Sequence, residues 1–262
     1  MGKDPYLLQT LSNGIDVIYA FEEADHPLTI NEISEKLKMN RTNLFRLLYT
    51  LRHKGLLEMD AETGKYRLGL RLVQLSALVL QRIGIREVAR PFLEKVRDTL
   101  NETVHLVALG EQCMIFIDKF EVSQSMLLSP YIGRVSPLYC TASGKLFLSF
   151  QNEDYIEKYL KAVPLKKYTE KTLTDPEKLK QNLQLIRERG YSIDDEEIEE
   201  GLVGFAAPIF DAKGSVQTSV SVSGPVGRML RKKEDILPTI IDTAKEISKH
   251  YSITTGVSTN WI

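Results

Sequence analysis

Apolar residues recur at helical spacing along much of the chain, most clearly in Asn40–Leu57, NRTNLFRLLYTLRHKGLL. Leu44, Leu47, Leu48 and Leu51 fall at i, i+3, i+4 and i+7, which predicts a single buried stripe on one helix. The opposite face carries Thr42, Phe45, Arg46, Tyr49 and His53, an unusual set for a surface that only has to be wet. Upstream, Leu11, Ile15, Ile18 and Phe21 predict a first helix, ending near the turn Asp25-His26-Pro27. Thr29 lies three residues before Glu32, the spacing of a capping box, and opens a second helix with Ile33 and Leu37 inward. Asn40 is placed to cap the third helix and Gly55 to terminate it. The stretches LLEMD and KYRLG, joined by AETG, predict a two-stranded ribbon. Helix, helix, short turn, helix and hairpin is the order of a winged helix-turn-helix, expected over residues 1–70.

The pattern changes after Leu70. Leu72, Leu75, Leu78 and Val79 continue a helical stripe, with Gly84 and Pro91 expected to divide a linker helix (71–90) from the next one. TVHLVALGEQCMIFIDKFEV predicts two strands joined at Gly110-Glu111, and SMLLSPYIGRVSPLY a further extended piece. CTASGKLFLSF begins a helix. DPEKLKQNLQLIRERG is another, with Leu179, Leu183 and Ile186 inward and Gly190 at its end. VGFAAPIF and SVQTSVSVSG form a hairpin about Asp211–Gly214, and a helix near 232–250 closes the chain. Strands and helices segregate rather than alternate. The second domain, 91–262, is therefore expected to be α+β and not a parallel doubly-wound sheet.

The net charge of −1 over 262 residues makes the whole chain no polyelectrolyte, but its distribution is uneven. Between Lys36 and Leu72 nine bases face only Glu58, Asp60 and Glu62, a local charge of +6, whereas the first 35 residues hold one base. A basic window inside a neutral protein is a pointed electrostatic footprint. The two cysteines, Cys113 and Cys140, form no CxxC pattern and fit a reducing cytosol. With no signal-like N-terminus and no apolar run of membrane length, a cytoplasmic location away from membranes is expected.

The third helix fits a DNA-reading role. Arg46 suits bidentate bonds to guanine, Thr42 and Asn43 reach bases from the first turn, and Phe45 can lie on a thymine methyl. Arg41, Tyr49, Arg52 and His53, with Lys65 and Arg67 on the wing, suit phosphates, and Thr29 joins the candidate contacts. A lone amphipathic helix would more often be a solvated one. The capping box, short turn, basic window and hairpin together favour duplex DNA. The competing class is a sensor whose N-terminal helices bind a protein partner. The exposed apolar side of the linker helix suits a homodimer, as expected for reading a palindromic operator.

At this point the chain resembles the IclR family of bacterial transcriptional regulators. The resemblance rests on ISEKLKMNRTNLFRLLYTLRHKGLLEMD with GKYRLG, on SPLYCTASGK, and on IRERGYSIDDEEIEEGLVGFAAPIF with SVSVSGP. It covers about Asn13 to His250. Members usually have Gly where this chain has Lys38, expected here in an ordinary α turn, and often Pro where it has Asn40. Tyr139 replaces the usual His. The resemblance implies a winged helix-turn-helix, a linker helix and a GAF-like effector domain, in dimers or tetramers that control operons for small organic acids, sugars or aromatics. It also implies an effector pocket formed by a loop at Ala142 and Ser143 with Asp195, Phe205, Ser221 and Ser223. Phe205 stands where many members have Cys. Arg134 is positioned to pair with an anionic effector or with the acidic run 194–200, in which Asp195 can equally be a solvated carboxylate.

An enzyme is not expected. Cys140 and His105 form no visible nucleophile–base–orienter set, and a small buried thiol is the simpler reading. SGK lacks the leading Gly and trailing Ser/Thr of a phosphate loop. His26, His53, His105 and His250 have no metal-ligand spacing, so neither metal nor cofactor is expected.

Overall fold

The computed structural model describes residues 6–22, 24–122 and 130–254. Contacts divide the chain into two compact units, Met1–Arg82 and Ile83–Ile262. The division falls inside the stretch 71–90 expected as a linker. Among the described residues no helix is long and apolar enough to cross a membrane.

The first unit contains α1 (Gln9–Tyr19), α2 (Ile30–Leu37), α3 (Arg41–His53), β1 (Leu57–Met59), β2 (Tyr66–Leu68) and α4 (Arg71–Arg82). The capping box is present: Thr29 Oγ1 accepts from Glu32 N–H at 3.3 Å, and Glu32 accepts from Thr29 N–H at 2.7 Å. Asn40 caps α3 through Asn43 N–H at 2.9 Å. Leu44 and Leu48 are fully buried with Val17, Ile33 and Leu57. Of the residues whose spacing predicted α1, Phe21 is buried and Ile18 half-buried while Leu11 and Ile15 are exposed, and Gly14 and Val17 complete the buried face. A Cβ on Gly14 would already touch Leu47, so the bare backbone lets α1 lie close to α3. The hairpin is pinned by a bridge to Leu28, whose N–H and C=O both bond Tyr66.

The turn between α2 and α3 departs from the ordinary α geometry expected of it. Lys38 is left-handed, φ 51°, ψ 37°. Ser34 and Met39 close the turn around it, with Ser34 Oγ donating to Met39 O at 2.6 Å and Met39 N–H to Ser34 O at 3.1 Å. An L side chain in that region costs about 1–2 kcal/mol, partly offset because glycine is more disordered when unfolded. Lys38→Gly should therefore stabilise the first unit by about 0.5–1 kcal/mol, read as a raised urea midpoint. A lowered midpoint would contradict this.

The second unit is a six-stranded, wholly antiparallel sheet in the order β5-β4-β3-β8-β7-β6. Its strands are β3 (Val104–Leu109), β4 (Cys113–Phe120), β5 (Val135–Pro137), β6 (Ser192–Asp195), β7 (Leu202–Phe210) and β8 (Val216–Pro225). Its helices are α5 (Ile85–Leu100), α6 (Ala142–Ser149), α7 (Glu153–Ala162), α8 (Pro176–Arg189), α9 (Val226–Arg231) and α10 (Lys233–Thr254). Pro91 does not break α5 but lies within it. The β3–β4 register skips Ile117. Asp118 thereby meets Arg86 and Arg90 of α5, while Phe116 joins the core around α6. The expected β7–β8 hairpin is present, its turn fixed by Asp211 Oδ1 accepting from Lys213 and Ser215 N–H. The extended reading of SMLLSPYIGRVSPLY survives only as β5; residues 125–129 lie outside the described residues. The elements α7, β6 and α9 were not anticipated.

Candidate DNA-binding face and effector cavity

The side of α3 opposite its buried leucines is open. Arg41, Thr42, Asn43, Phe45, Arg46, Tyr49, Arg52 and His53 are all exposed, with more than half the surface of Phe45 and Tyr49 accessible. Exposing two large aromatics has a solvation cost that a purely structural face would avoid. Tyr49 and His53 stack one turn apart, ring centroids 6.4 Å apart and nearly parallel. Other candidates already have partners. Arg52 lies 3.6 Å from Met59 Sδ, tying the helix to the wing. Arg67 forks onto Glu58 at 3.0 and 2.8 Å across the ribbon, and Thr29 is occupied by its cap. Lys65 is exposed at the wing. Among the described residues, Arg41, Arg46 and Lys65 on this face have no such intramolecular engagement.

In the second unit a cleft of about 870 Å³, part of it continuous with solvent, opens over one end of the sheet. Arg134, Ala142, Ser143, Ser221 and Ser223 line it, together with Thr103, Thr141, Ser136, Met114 and Phe116. Ala142 and Ser143 are not in a loop but form the first turn of α6, capped by Thr141 Oγ1 accepting from Gly144 N–H. Ser143 is fixed further by Ser219 Oγ at 2.9 Å.

Two expected pocket residues point elsewhere. Asp195 is exposed and faces Lys171 at 3.3 Å, while its neighbour Asp194 lines the cleft. Phe205 is fully buried away from the cleft, while Gly204 lines it. The ladder explains both: Asp194, Gly204 and Ser223 are direct cross-strand partners on one face, and a slip of one residue selects the other face. A Cβ at Gly204 would sit 3.5–3.8 Å from those of Ala142, Asp194 and Ser223, so its absence keeps the centre of the row open.

Burial sets the protonation of this region. Desolvation pushes the Asp194 carboxyl up to about 7, against the opposing backbone bond from Glu197 N–H at 2.8 Å. The native state thus holds an extra proton between the ordinary carboxyl value near 4 and about 7. Stability from this group is present below that range and lost as pH rises through it, by about 1.4 kcal/mol per pH unit at most. Asp194→Asn should flatten the fall in urea midpoint between pH 5 and 8; an unchanged slope would count against this assignment. Burial also drives Cys140 up to about 12, the acids Asp194 and Glu197 adding to it, so the thiol stays protonated. His105, fully buried and pushed down to about 3 by desolvation and then Lys119, has no hydrogen-bond partner on either nitrogen among the described residues. The two therefore form no nucleophile–base pair.

Behind the cleft, Lys145 of α6 is almost wholly buried and paired with Glu197 of the β6–β7 loop. That loop supplies Ile198 and Glu199 to the wall, beside Asp194 of β6. The ion pair thus positions one side of the cleft, and neither partner was singled out in the sequence.

A winged helix-turn-helix with a basic, aromatic reading face, joined to an α+β unit with a built small-molecule cleft, defines a ligand-responsive DNA-binding regulator. The chain belongs to the IclR family of such bacterial transcriptional regulators. It matches that family's helix-turn-helix domain over residues 10–61 and its C-terminal domain over residues 77–249. It is 31% identical over 249 residues to the HTH-type transcriptional regulator KdgR of Escherichia coli, covering 95% of this chain and 94% of that one. It is 29% identical over 247 residues to the transcriptional repressor IclR of the same organism, covering 93% and 90%. The crystal structure of Thermotoga maritima IclR superposes with a TM-score of 0.71 at 33% identity, over 94% of this chain and all of that one. The protein is an HTH-type transcriptional regulator and not an enzyme.

Proposed function

We propose that the protein is a cytoplasmic, homodimeric repressor that reads a palindromic operator with α3 and is controlled by a small organic acid or sugar derivative in the cleft. The observation carrying the DNA half is the exposed set Arg41, Thr42, Asn43, Phe45, Arg46 and Tyr49 on a helix whose other side is core. A major groove about 12 Å wide admits one such helix, with its first turns toward the bases. Arg46 reads guanine, Phe45 lies on a thymine methyl, and Arg41 and Lys65 take phosphates. Arg52, Arg67 and Thr29, each with an intramolecular partner, hold the reading surface in shape more than they contact DNA. Repression is supported by the E. coli relative named as a repressor and by its simple requirement, occlusion of a promoter.

Dimerisation is supported by α4, which buries none of its residues within the chain and exposes Leu75, Leu78 and Val79. The cleft supports the ligand half: hydroxyls of Ser221, Ser223 and Thr103 and a half-protonated Asp194 suit a polar small molecule within an apolar frame. Effector binding that favours one arrangement of the dimer by about 1–3 kcal/mol would shift operator affinity roughly 5–150-fold.

The test is fluorescence anisotropy on DNA from upstream of the protein's own gene, with competitor DNA and a salt series. Arg46→Ala should weaken specific binding by about 1–3 kcal/mol. Binding that ignores both Arg46 and the DNA sequence would instead assign the α3 face to a protein partner.

A further inference from the structure

The cleft has one charged wall that no motif announced. Glu102, between α5 and β3, is completely buried. Its two oxygens accept from Arg228 Nε at 2.8 Å and Nη2 at 2.9 Å. Lys232 Nζ donates to the same carboxylate at 2.9 Å and to the Leu100 carbonyl, at the end of α5, at 2.8 Å. One carboxylate against two cations leaves this wall with a net charge of +1. A guanidinium has five N–H donors, and Glu102 takes two of them from one edge. The other edge, Nη1 with the second Nη2 hydrogen, is a matched pair of donors. Arg228 lines the cleft and keeps a third of its side chain exposed.

We infer that Arg228, oriented by Glu102, is the anion-binding residue of the cleft, and that the effector presents a carboxylate to it with hydroxyl or keto groups toward Ser221 and Ser223. The inference rests on the reading of the cleft as the effector site. A planar two-oxygen anion fits the free edge of the fork bidentately. Arg134, the other cation of the cleft, is exposed at its rim. Arg228 is already immobilised by two bonds, so less side-chain freedom is lost when a ligand binds it.

The test is thermal shift and calorimetry on the full chain with pyruvate, succinate and 4-hydroxybenzoate, each beside its amide. At least one acid should bind where its amide does not. Arg228→Gln should weaken that acid roughly 10- to 150-fold. Arg228→Lys, which keeps the pair with Glu102 and hence the fold, should fall between, and Arg134→Gln should stay within about threefold of wild type. An acid held equally by wild type and Arg228→Gln, an amide bound as tightly as its acid, or no binding of any of the three acids overturns the assignment. Ser221→Phe, which fills the cleft, tests the underlying reading separately: acid binding that survives it places the effector elsewhere, whatever Arg228 does.

Discussion

Replacing Lys145 by Met should cost the second unit about 3–5 kcal/mol near neutral pH, enough to consume much of a domain's stability. Lys145 and Glu197 are both almost wholly buried, and Glu197 Oε2 already has no hydrogen-bond partner among the described residues. Removing the ammonium leaves a buried carboxylate facing Asp194, whose own proton affinity is already raised. Burial raises the Glu197 carboxyl as well, and the variant loses the cation that opposes that rise. Its folded state would then take up a proton that the unfolded chain does not hold at neutral pH. The variant's deficit should therefore shrink as pH falls toward 5 and deepen toward 8. Lys145→Met with Glu197→Leu should recover most of the loss, because an apolar pair of similar volume leaves no unpaired charge. Urea unfolding followed by circular dichroism checks all three, taking the second unit's transition. A Lys145→Met midpoint within 1 kcal/mol of wild type would show that the pair is solvated and holds nothing.

The elements that could be read directly from the chain are those whose signals are local. The leucine stripe of α3, the Thr29–Glu32 box, the Asn40 cap and the Asp211–Gly214 hairpin each depend on residues within about a turn of one another. What was missed depends, the Lys38 turn apart, on partners distant in sequence. Lys38 is left-handed because Ser34 and Met39 close the turn around it, which propensity does not reveal. The Leu28–Tyr66 bridge joins segments that share no pattern. In the cleft the right segments were found, but on two of them the residue was off by one. Ser221 and Ser223 alternate visibly, whereas Asp194 and Gly204 are defined only by pairing with β8 through β7. Glu102 and Arg228 lie 126 residues apart, and nothing local marks either as a partner of the other.

The cleft therefore has two kinds of wall. Hydroxyls presented by the strands and by α6 supply direction, and charge clusters built on a buried acid, Glu102 with the half-buried Arg228 and Lys232 on one side and Glu197 with Lys145 on the other, hold the elements in place. Because these clusters tie separate elements together, the cleft is preorganised. A ligand can then bind without first ordering its walls, and its binding energy remains available to choose between states of the regulator.

Gly144→Ala should disrupt the same region from the opposite direction, by overfilling it. In the first turn of α6, a Cβ at Gly144 would lie 2.4 Å from Leu138 Cα, 2.4 Å from the Leu138 carbonyl oxygen and 2.4 Å from Thr141 Oγ1. Two of these atoms are backbone, so no side-chain rotation relieves the clash. The third is the helix's own cap, which accepts from Gly144 N–H at 3.2 Å and donates to Pro137 O at 2.7 Å. In a free helix the change would gain up to about 1 kcal/mol of propensity. Here overpacking should outweigh that gain and leave a net loss of about 3 kcal/mol or more. Moving α6 away from Leu138 would also displace Ala142 and Ser143 from the cleft and strain the Ser143–Ser219 bond. The expected variant melts well below wild type in its second unit and fails to release operator DNA with effector, while its first unit unfolds normally. Gly144→Ala with an unchanged melting profile would mean that the Leu138–Thr141 turn yields, and that α6 is not clamped against it.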